Sequence, residues 1–192
     1  MSDLVELSPI RQRLRSHVLE HSVKTGDFVL KSGARSSWFL DTKQTACRPD
    51  GIIAVANAVE EVFGSELEGI DAIGGLTLGA DPMAYGVAAV MATRGIGMRS
   101  FSVRKEAKQG GITGRIAGAL RPGDRVLVTE DTTTRGTSLI EAVDQIEDFG
   151  AVAVYMSVIV DRGGSCGALA AERGIDYRPL LTAPDLGYRF GT

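Results

Sequence analysis

The sequence predicts an α/β fold with a central parallel sheet flanked by helices. Apolar segments typical of strands alternate along the chain with segments of helical periodicity, an order that favours parallel strands joined by crossover helices. One strand segment, residues 126–129, is an apolar run and is expected at the centre of the sheet. Because ligands bind to such sheets beyond the carboxyl ends of the strands, the loops after the strands are the places to search for a functional site.

The amino-terminal third predicts two helices on either side of a pair of short strands. Ser8 and Pro9 are a typical N-cap and first residue of a helix, which continues through an apolar stripe. Residues 28–30 and 38–40 are expected to be strands joined by a polar turn. Apolar residues at helical spacing predict a second helix over residues 50–64, ended by a glycine.

The middle of the chain predicts the first strand–loop–helix unit of the sheet. A strand at residues 70–73 leads into the glycine-rich loop 74–80. Asp81 and Pro82 then predict the N-cap and first residue of a helix, and residues 99–103 predict the next strand.

The carboxyl-terminal half repeats this pattern. The central strand at residues 126–129 is followed by a helix, and Ser138 with Glu141 predicts a capping box at its start. Residues 152–160 predict a second buried strand, followed by a short helix and a strand at residues 177–181. We therefore expect three loops, 74–80, 130–137 and 161–164, to meet at one edge of the sheet.

The composition is that of an ordinary globular protein and predicts one domain of 192 residues. A net charge of −3 gives no electrostatic reason to expect nucleic-acid binding. The longest apolar run is too short to cross a membrane, and the amino terminus lacks the features of a signal peptide. Cys47 and Cys166 fit no metal-binding spacing, so they are expected to be reduced thiols in a cytoplasmic protein.

The segment RVLVTEDTTTRGTS, residues 125–138, combines a buried strand with a polar loop before a helix. Thr133, Thr134, Gly136 and Thr137 are able to surround a phosphate with hydroxyl and backbone N–H donors. The P-loop pattern is absent, which excludes an ordinary nucleoside triphosphatase. The segment therefore predicts a phosphate site, with a polar loop and a normal helix cap as the alternative.

Two carboxylates, Glu130 and Asp131, precede this predicted phosphate site. They would repel a phosphate unless they contact something else, and ribose hydroxyls or a Mg²⁺ ion bound to them meet that requirement. The order of residues thus predicts a phosphate beside a pentose.

The segment VLVTEDTTTRGTS resembles the phosphoribosyl-pyrophosphate (PRPP) binding motif of type I phosphoribosyltransferases. The resemblance extends over nearly the whole chain and is to the orotate phosphoribosyltransferases. The other matching segments are LKSGARSSWFLD (30–41), GGLTLGADP (74–82), RKEAK (104–108) and VDRGG (160–164). The PRPP motif indicates the superfamily, whereas LKSG with its aromatic pair, together with RKxxK, indicates the orotate enzymes.

This resemblance implies the transfer of a 5-phosphoribosyl group from PRPP to orotate, giving orotidine 5′-monophosphate and pyrophosphate in UMP biosynthesis, with Mg²⁺ as cofactor. It implies the type I phosphoribosyltransferase fold, with a core of about residues 45–165 and a small hood formed by about residues 20–42 and 176–192. Reaction would pass through an oxocarbenium-like state without a covalent protein nucleophile, so catalysis would come from positioning and charge stabilisation.

The resemblance also assigns candidate site residues. Glu130 and Asp131 would hold the ribose hydroxyls, with Asp131 a candidate ligand of the Mg²⁺ that PRPP brings. Orotate would contact Lys31, Phe39 and Arg162. The residues expected to contact the phosphates of PRPP are Thr132, Thr133, Thr134, Arg135, Gly136, Thr137 and Ser138, with Thr77, Leu78 and Gly79 at the pyrophosphate.

The basic, glycine-rich segment 104–118 predicts a lid over a polyanion. Arg104, Lys105 and Lys108 would neutralise the charge that develops on departing pyrophosphate, and a closed lid would exclude water. A solvated hairpin is the alternative when the segment is considered alone. The resemblance implies that this loop reaches the site of a neighbouring subunit, and hence a homodimer.

The sequence departs from the family pattern in the lid and in the PRPP motif. Relatives usually have RKxxKxHG, so Gly110 stands where they have a histidine, and Arg135 stands where they have a small residue. Two alternatives therefore stay open: a phosphoribosyltransferase for another base, or a PRPP-binding regulator with reduced catalysis. A small-molecule kinase is disfavoured because the P-loop is absent.

Overall fold

The computed structural model of the chain describes residues 6–29, 35–108 and 114–191. The helices are α1 (Pro9–His21), α2 (Lys43–Ala46), α3 (Pro49–Phe63), α4 (Asp81–Ala92), α5 (Thr137–Asp148) and α6 (Cys166–Glu172), with 3₁₀ turns at Gly64–Gly69 and Pro184–Leu186. The strands are β1 (Val23–Val29), β2 (Arg35–Leu40), β3 (Ala72–Leu76), β4 (Arg99–Lys108), β5 (Gly114–Gly118), β6 (Arg125–Thr133), β7 (Val152–Asp161), β8 (Asp176–Tyr177) and β9 (Leu181–Thr182).

The main sheet is mostly parallel and runs in the order β5-β4-β3-β6-β7-β8, with β9 also paired to β7. Parallel pairing joins β3 to β4 and β6, β6 to β7, and β7 to both β8 and β9, whereas β5 pairs with β4 in the antiparallel sense. The predicted fold class is confirmed, and β6 lies in the interior of the sheet as predicted from its apolar run.

Helices cover both faces of this sheet because successive strand side chains point to opposite sides. Ile73 and Leu127 belong to the core that contains the buried residues of α1, α3 and α4. Val126 and Val128 belong to a second core with α5 and α6. This three-layer arrangement leaves the ends of the strands as the open parts of the sheet.

The antiparallel pair β1–β2 forms a separate two-stranded sheet near the amino terminus. Its second strand alternates regularly: Ser36, Trp38 and Leu40 are buried and Phe39 is exposed. Trp38 therefore faces the interior and Phe39 the opposite side. The division of the chain into core and hood at the residues given above stays a prediction.

Two of the predicted helix starts are wrong and one is confirmed. Ser8 caps α1, and its side chain accepts a hydrogen bond from the Arg11 N–H. Asp81 does not cap α4 but lies within its first turn, because its carboxylate is bound to side chains outside the helix. The capping box predicted from Ser138 and Glu141 does not form either.

Instead, α5 begins after Gly136, which has a φ of 80° and no side chain with which to cap the helix. Glu141 forms an ion pair with Arg115 of β5 and is not available to a capping box. Local spacing predicted the helix but could not reveal a tertiary partner for its glutamate.

Several predicted strands differ in extent. The strand predicted at 70–73 lies at Ala72–Leu76, and the single strand predicted at 177–181 is the two short strands β8 and β9. The lid segment is not a loop throughout, because β4 continues to Lys108 and β5 begins at Gly114. No helix among the described residues combines the length and apolar character needed to cross a membrane.

Candidate active site at the carboxyl edge of the sheet

Three loops meet at one edge of the sheet, as predicted. The strands β3, β6 and β7 are parallel neighbours, so their carboxyl ends, at Leu76, Thr133 and Asp161, point the same way. The backbone N–H of Arg162 donates to the Thr133 carbonyl over 2.7 Å, which joins the loop after β7 directly to that after β6.

The two predicted acids lie within β6 rather than in the loop after it. Glu130 pairs with Val158 of β7 in the sheet register, and Thr132 pairs with Val160. Both Glu130 and Asp131 are buried. The hydrogen-bonded backbone of a sheet therefore fixes the two carboxylates more firmly than a loop would.

Gly79 brings the loop after β3 against these acids. A Cβ atom placed on Gly79 would lie 1.6 Å from Glu130 Oε1 and 3.0 Å from Asp131 Oδ1, well inside van der Waals contact. A side chain at position 79 would therefore require the Glu130 carboxylate to move aside. The predicted pyrophosphate loop and the predicted ribose acids are thus parts of one site.

Burial and the neighbouring Asp131 carboxylate raise the pKa of Glu130 to about 8. Two carboxylates held this close in a desolvated site do not ionise together at ordinary cost. At neutral pH, Glu130 therefore retains a proton in much of the population, and the acid pair has a charge nearer −1 than −2.

Lys43 of α2 supplies a positive charge to this pair, and the sequence did not predict it. Its Nζ lies 2.5 Å from Asp131 Oδ2. Burial disfavours the charged ammonium, but the hydrogen bond and charge of Asp131 outweigh this and raise the pKa of Lys43. Since the lysine side chain is 41% exposed and that of Asp131 is 6% exposed, the lysine can leave for solvent while the carboxylate cannot.

The loop between β6 and α5 has the form of an anion site. The Thr133 hydroxyl accepts a hydrogen bond from the Gly136 N–H over 2.9 Å, which tightens the turn. Gly136 packs closely enough that a Cβ atom there would lie 2.9 Å from Cys166 Sγ. Exposed side chains around this turn, at the amino terminus of a twelve-residue helix, are those of Thr134, Arg135, Thr137 and Ser138.

The loop 77–79 is anchored by Asp81, which explains why that residue does not cap its helix. Asp81 accepts hydrogen bonds from Thr77 Oγ1 at 2.7 Å and from Ser102 Oγ at 2.6 Å. Tyr85 OH lies 2.7 Å from the same Ser102 hydroxyl. This chain of contacts ties the loop to β4, whereas Leu78 at its tip is 72% exposed.

Asp161 organises the loop after β7. Its Oδ1 accepts hydrogen bonds from the N–H groups of Gly163 and Gly164, both at 2.9 Å. Tyr177 donates its hydroxyl to Oδ2 over 3.0 Å. A Cβ atom on Gly163 would lie 1.6 Å from the Thr134 carbonyl oxygen, so this loop also needs a glycine at its contact with the phosphate turn.

Arg162, the predicted orotate residue, lies over the indole of Trp38, with 4.5 Å between Cζ and the ring centroid. Burial lowers its pKa from the ordinary value. Phe39, also predicted at the base, is 40% exposed, and its ring centroid is 5.7 Å from that of Phe28. Lys31 lies outside the described residues.

The described arms of the lid place its basic residues near the carboxyl edge. Arg104 and Lys105 lie on β4, and Lys108 is the last residue of that strand. Arg115 of β5 donates from Nε to the Arg104 carbonyl over 2.5 Å. Gly110 lies outside the described residues, so the effect of losing the family histidine stays open.

The donor set fits a magnesium ion carried by a phosphorylated ligand. Glu130 and Asp131 offer hard carboxylate oxygens, which suit Mg²⁺. Within residues 6–29, 35–108 and 114–191 no group of three or more His, Cys, Asp or Glu side chains could hold a metal by itself. One or two carboxylates acting together with ligand phosphates is the usual arrangement for this ion.

Four contributors to the site were missed by sequence reasoning: Lys43, Trp38, Asp81 and Asp161. The alternation of β2 could have indicated that Trp38, and not Phe39, faces inward. No local pattern links Lys43 to a carboxylate 88 residues later in the chain.

Comparison with known proteins gives relatives over nearly the whole chain. The orotate phosphoribosyltransferase of Corynebacterium glutamicum is 36% identical over 177 residues, which are 92% of this chain and 94% of that protein. A crystal structure of the Mycobacterium tuberculosis orotate phosphoribosyltransferase with Fe(III) dicitrate matches with a TM-score of 0.81 and 35% identity, covering 93% of this chain and 99% of that one. Its complex with PRPP matches with a TM-score of 0.78 and 30% identity, with the same coverage. No family model matches the sequence.

Proposed function

Because the chain belongs to the orotate phosphoribosyltransferase family, we propose that the edge formed by β3, β6 and β7 transfers a 5-phosphoribosyl group from PRPP to orotate. The products are orotidine 5′-monophosphate and pyrophosphate, a step of UMP biosynthesis. The main support for this site is the contact of Gly79 with the Glu130 and Asp131 carboxylates, which joins a pyrophosphate loop to a sugar site.

Glu130 and Asp131 hold the ribose hydroxyls. Acceptors held rigidly in a strand can orient the sugar so that C1 faces the base, and their negative charge favours the oxocarbenium-like state. Lys43 compensates the Asp131 charge in the free site. In the bound site the sugar hydroxyls would take its place as hydrogen-bond donors, and Mg²⁺ carried by PRPP would supply the positive charge.

The turn from Thr133 to Ser138 holds the 5′-phosphate. The amino terminus of α5 and the exposed threonine hydroxyls provide donors, while Gly136 allows close approach of the backbone. Arg135 is exposed at this turn and adds a positive charge toward the phosphate.

At the other end of PRPP, the pyrophosphate lies against the backbone of residues 77–79. Arg104, Lys105 and Lys108 on the lid stabilise its developing charge as it leaves, and closure of the lid excludes water. Mg²⁺ bound to PRPP would be held by Asp131, with Glu130 beside it, and would neutralise phosphate charge.

Orotate lies near Arg162, which is suited to a flat ring with carbonyl and carboxylate oxygens because its donors are fixed in a plane. Lys31 and Phe39 are assigned to the base by resemblance. The lowered pKa of Arg162 is consistent with a cation held in a partly desolvated place, where a carboxylate partner is favoured.

We also propose a homodimer in which segment 104–118 reaches the site of the neighbouring subunit, as the family resemblance implies. A cytoplasmic location is supported by two free thiols, Cys47 and Cys166.

The test is an assay with PRPP, Mg²⁺ and orotate, followed by the loss of orotate absorbance. We expect loss only when all three are present, with equimolar release of pyrophosphate. Uracil, nicotinate and purine bases should give no transfer. Transfer to one of these in place of orotate would identify a phosphoribosyltransferase for another base, and binding of PRPP without consumption of any base would identify a regulator.

A further inference from the structure

The single tryptophan of the chain, Trp38, is covered by an arginine and by a tyrosine from the carboxyl terminus. Tyr188 stacks on the indole with 4.0 Å between ring centroids and 5° between planes. Since a parallel ring at that distance covers one face, we place the Arg162 guanidinium, 4.5 Å from the ring centroid, on the other. Full burial of Trp38 agrees with both faces being covered.

The carboxyl-terminal segment is attached to the Arg162 loop at further points. The N–H of Gly191 donates to the Arg162 carbonyl over 2.8 Å. The Phe190 ring packs on Gly164, where a Cβ atom would lie 3.1 Å from it. The Tyr188 N–H is itself fixed by a 3.0 Å hydrogen bond to the Ala183 carbonyl. Backbone and side chains of this segment therefore hold the same loop.

Stacking determines where the donors of an arginine point. A guanidinium lying flat on an aromatic face keeps its N–H groups in a plane parallel to that face, directed outward. With Arg162 Cζ 4.5 Å from the indole centroid, such a parallel arrangement would let the indole set the plane in which Arg162 meets a flat carboxylated ring. If the indole tilts, that plane tilts with it.

We propose that Tyr188 is a positioning residue for the base site, which acts through Trp38 to orient Arg162. The inference rests on the proposed role of Arg162 in binding orotate. Tyr188 itself does not contact the reacting atoms, and it sets selectivity for a planar carboxylated base rather than the rate of the sugar chemistry.

The chain contains a matched control for this cluster. Arg178 lies over the rings of Phe63 and Tyr155, at 5.4 Å and 5.3 Å from their centroids, away from the carboxyl edge. Tyr155 packs edge-on against Phe63 with 5.3 Å between centroids. Loss of an aromatic ring from this cluster removes similar packing without touching the Arg162 loop.

The experiment compares Tyr188→Leu, Tyr188→Phe, Tyr155→Leu and Arg162→Lys by steady-state kinetics for both substrates and by Trp38 fluorescence. We expect Tyr188→Leu to raise the KM for orotate about ten-fold, with the KM for PRPP and kcat changed less than about two-fold, because misorientation affects the base alone. Tyr188→Phe retains the stacked ring and should behave as the parent. The Trp38 emission spectrum should change in Tyr188→Leu and not in Tyr155→Leu.

An unchanged KM for orotate in folded Tyr188→Leu, with Arg162→Lys impaired for orotate, overturns the inference and leaves the proposed function intact. Equal increases in the KM for orotate and the KM for PRPP would indicate that Tyr188 only stabilises the fold, and this result would also overturn the inference. If Arg162→Lys leaves orotate binding unchanged, Arg162 does not bind orotate, and the inference about Tyr188 is overturned as well. Should Tyr188→Leu not fold, Tyr188→Met replaces it in the same comparison.

Discussion

A buried aspartate lies beside a basic side chain near each end of β6, but the charge of the aspartate is neutralised differently at the two ends. At the amino end, Asp124 binds Arg99 Nη2 at 2.6 Å through Oδ1. Its other oxygen accepts the Arg121 N–H at 2.7 Å. Both carboxylate oxygens are therefore occupied by donors that belong to the fold.

At the carboxyl end, Asp131 is paired with a half-exposed lysine and stands beside a glutamate whose pKa is raised to about 8. These are exchangeable forms of neutralisation, because a proton can leave and a flexible ammonium can swing into solvent. Burial alone therefore does not tell whether an acid in this sheet stabilises the fold or binds a ligand. What differs is whether its counter-charge can be replaced by a ligand.

The largest expected effect separates the two aspartates. Asp131→Asn should lower kcat about 100-fold or more, because a neutral amide does not stabilise a cationic sugar, and should change the KM for orotate less than two-fold. Asp124→Asn should keep kcat and lower the free energy of unfolding by about 1–3 kcal/mol, since Arg99 loses a charged partner. The loss of orotate absorbance measures kcat, and urea denaturation measures the free energy of unfolding. Unchanged turnover in Asp131→Asn would remove this residue from the mechanism.

A smaller effect is expected at the basic partners. Lys43→Met should lower the KM for PRPP by about three- to ten-fold, because the ligand no longer has to displace an ammonium from Asp131, and Lys43→Arg should keep the KM near that of the unchanged protein. Arg99→Met should destabilise the fold without altering the KM for PRPP. Initial rates over a range of PRPP concentrations test both. Equal KM values in the Lys43→Met and Arg99→Met variants would contradict the distinction between the two ends.

The smallest effect concerns pH. The pKa of Glu130 rises on folding from an ordinary 4.5 to about 8, so its protonated form favours the folded state. This stabilisation is complete below pH 4.5 and is lost as the pH rises through about 8. We expect Tm to fall by a few degrees between pH 6 and pH 9, and Glu130→Gln to flatten that slope. Thermal denaturation without substrates measures this dependence of Tm on pH. If Tm falls equally in Glu130→Gln, another group causes the fall.

The sequence predicted the features that depend on local pattern and on the geometry of parallel sheets. The alternation of strands and helices predicted that Glu130, Thr133 and Arg162 lie at one edge of the sheet. The Ser8-Pro9 pair also predicted the start of α1, where the capping hydroxyl and the N–H that donates to it are three residues apart.

Features that depend on distant partners could not be predicted in this way. Glu141 has the spacing of a capping box but binds Arg115, 26 residues earlier. Asp81 has the spacing of a cap but binds Ser102 on a neighbouring strand. Lys43 follows a hairpin that gives no indication of its carboxylate partner. For Glu141 and Asp81 a tertiary contact replaced the local one that the spacing indicated, whereas for Lys43 the spacing indicated no contact at all.

The close approach of Gly79 to Glu130 has a consequence for how this site can vary among natural or engineered descendants. A side chain at position 79 would meet the far end of the Glu130 side chain, so it can be introduced only together with a movement of that carboxylate. The residue at position 79 and the conformation of Glu130 are therefore coupled, and a change at one position alters which changes the other accepts.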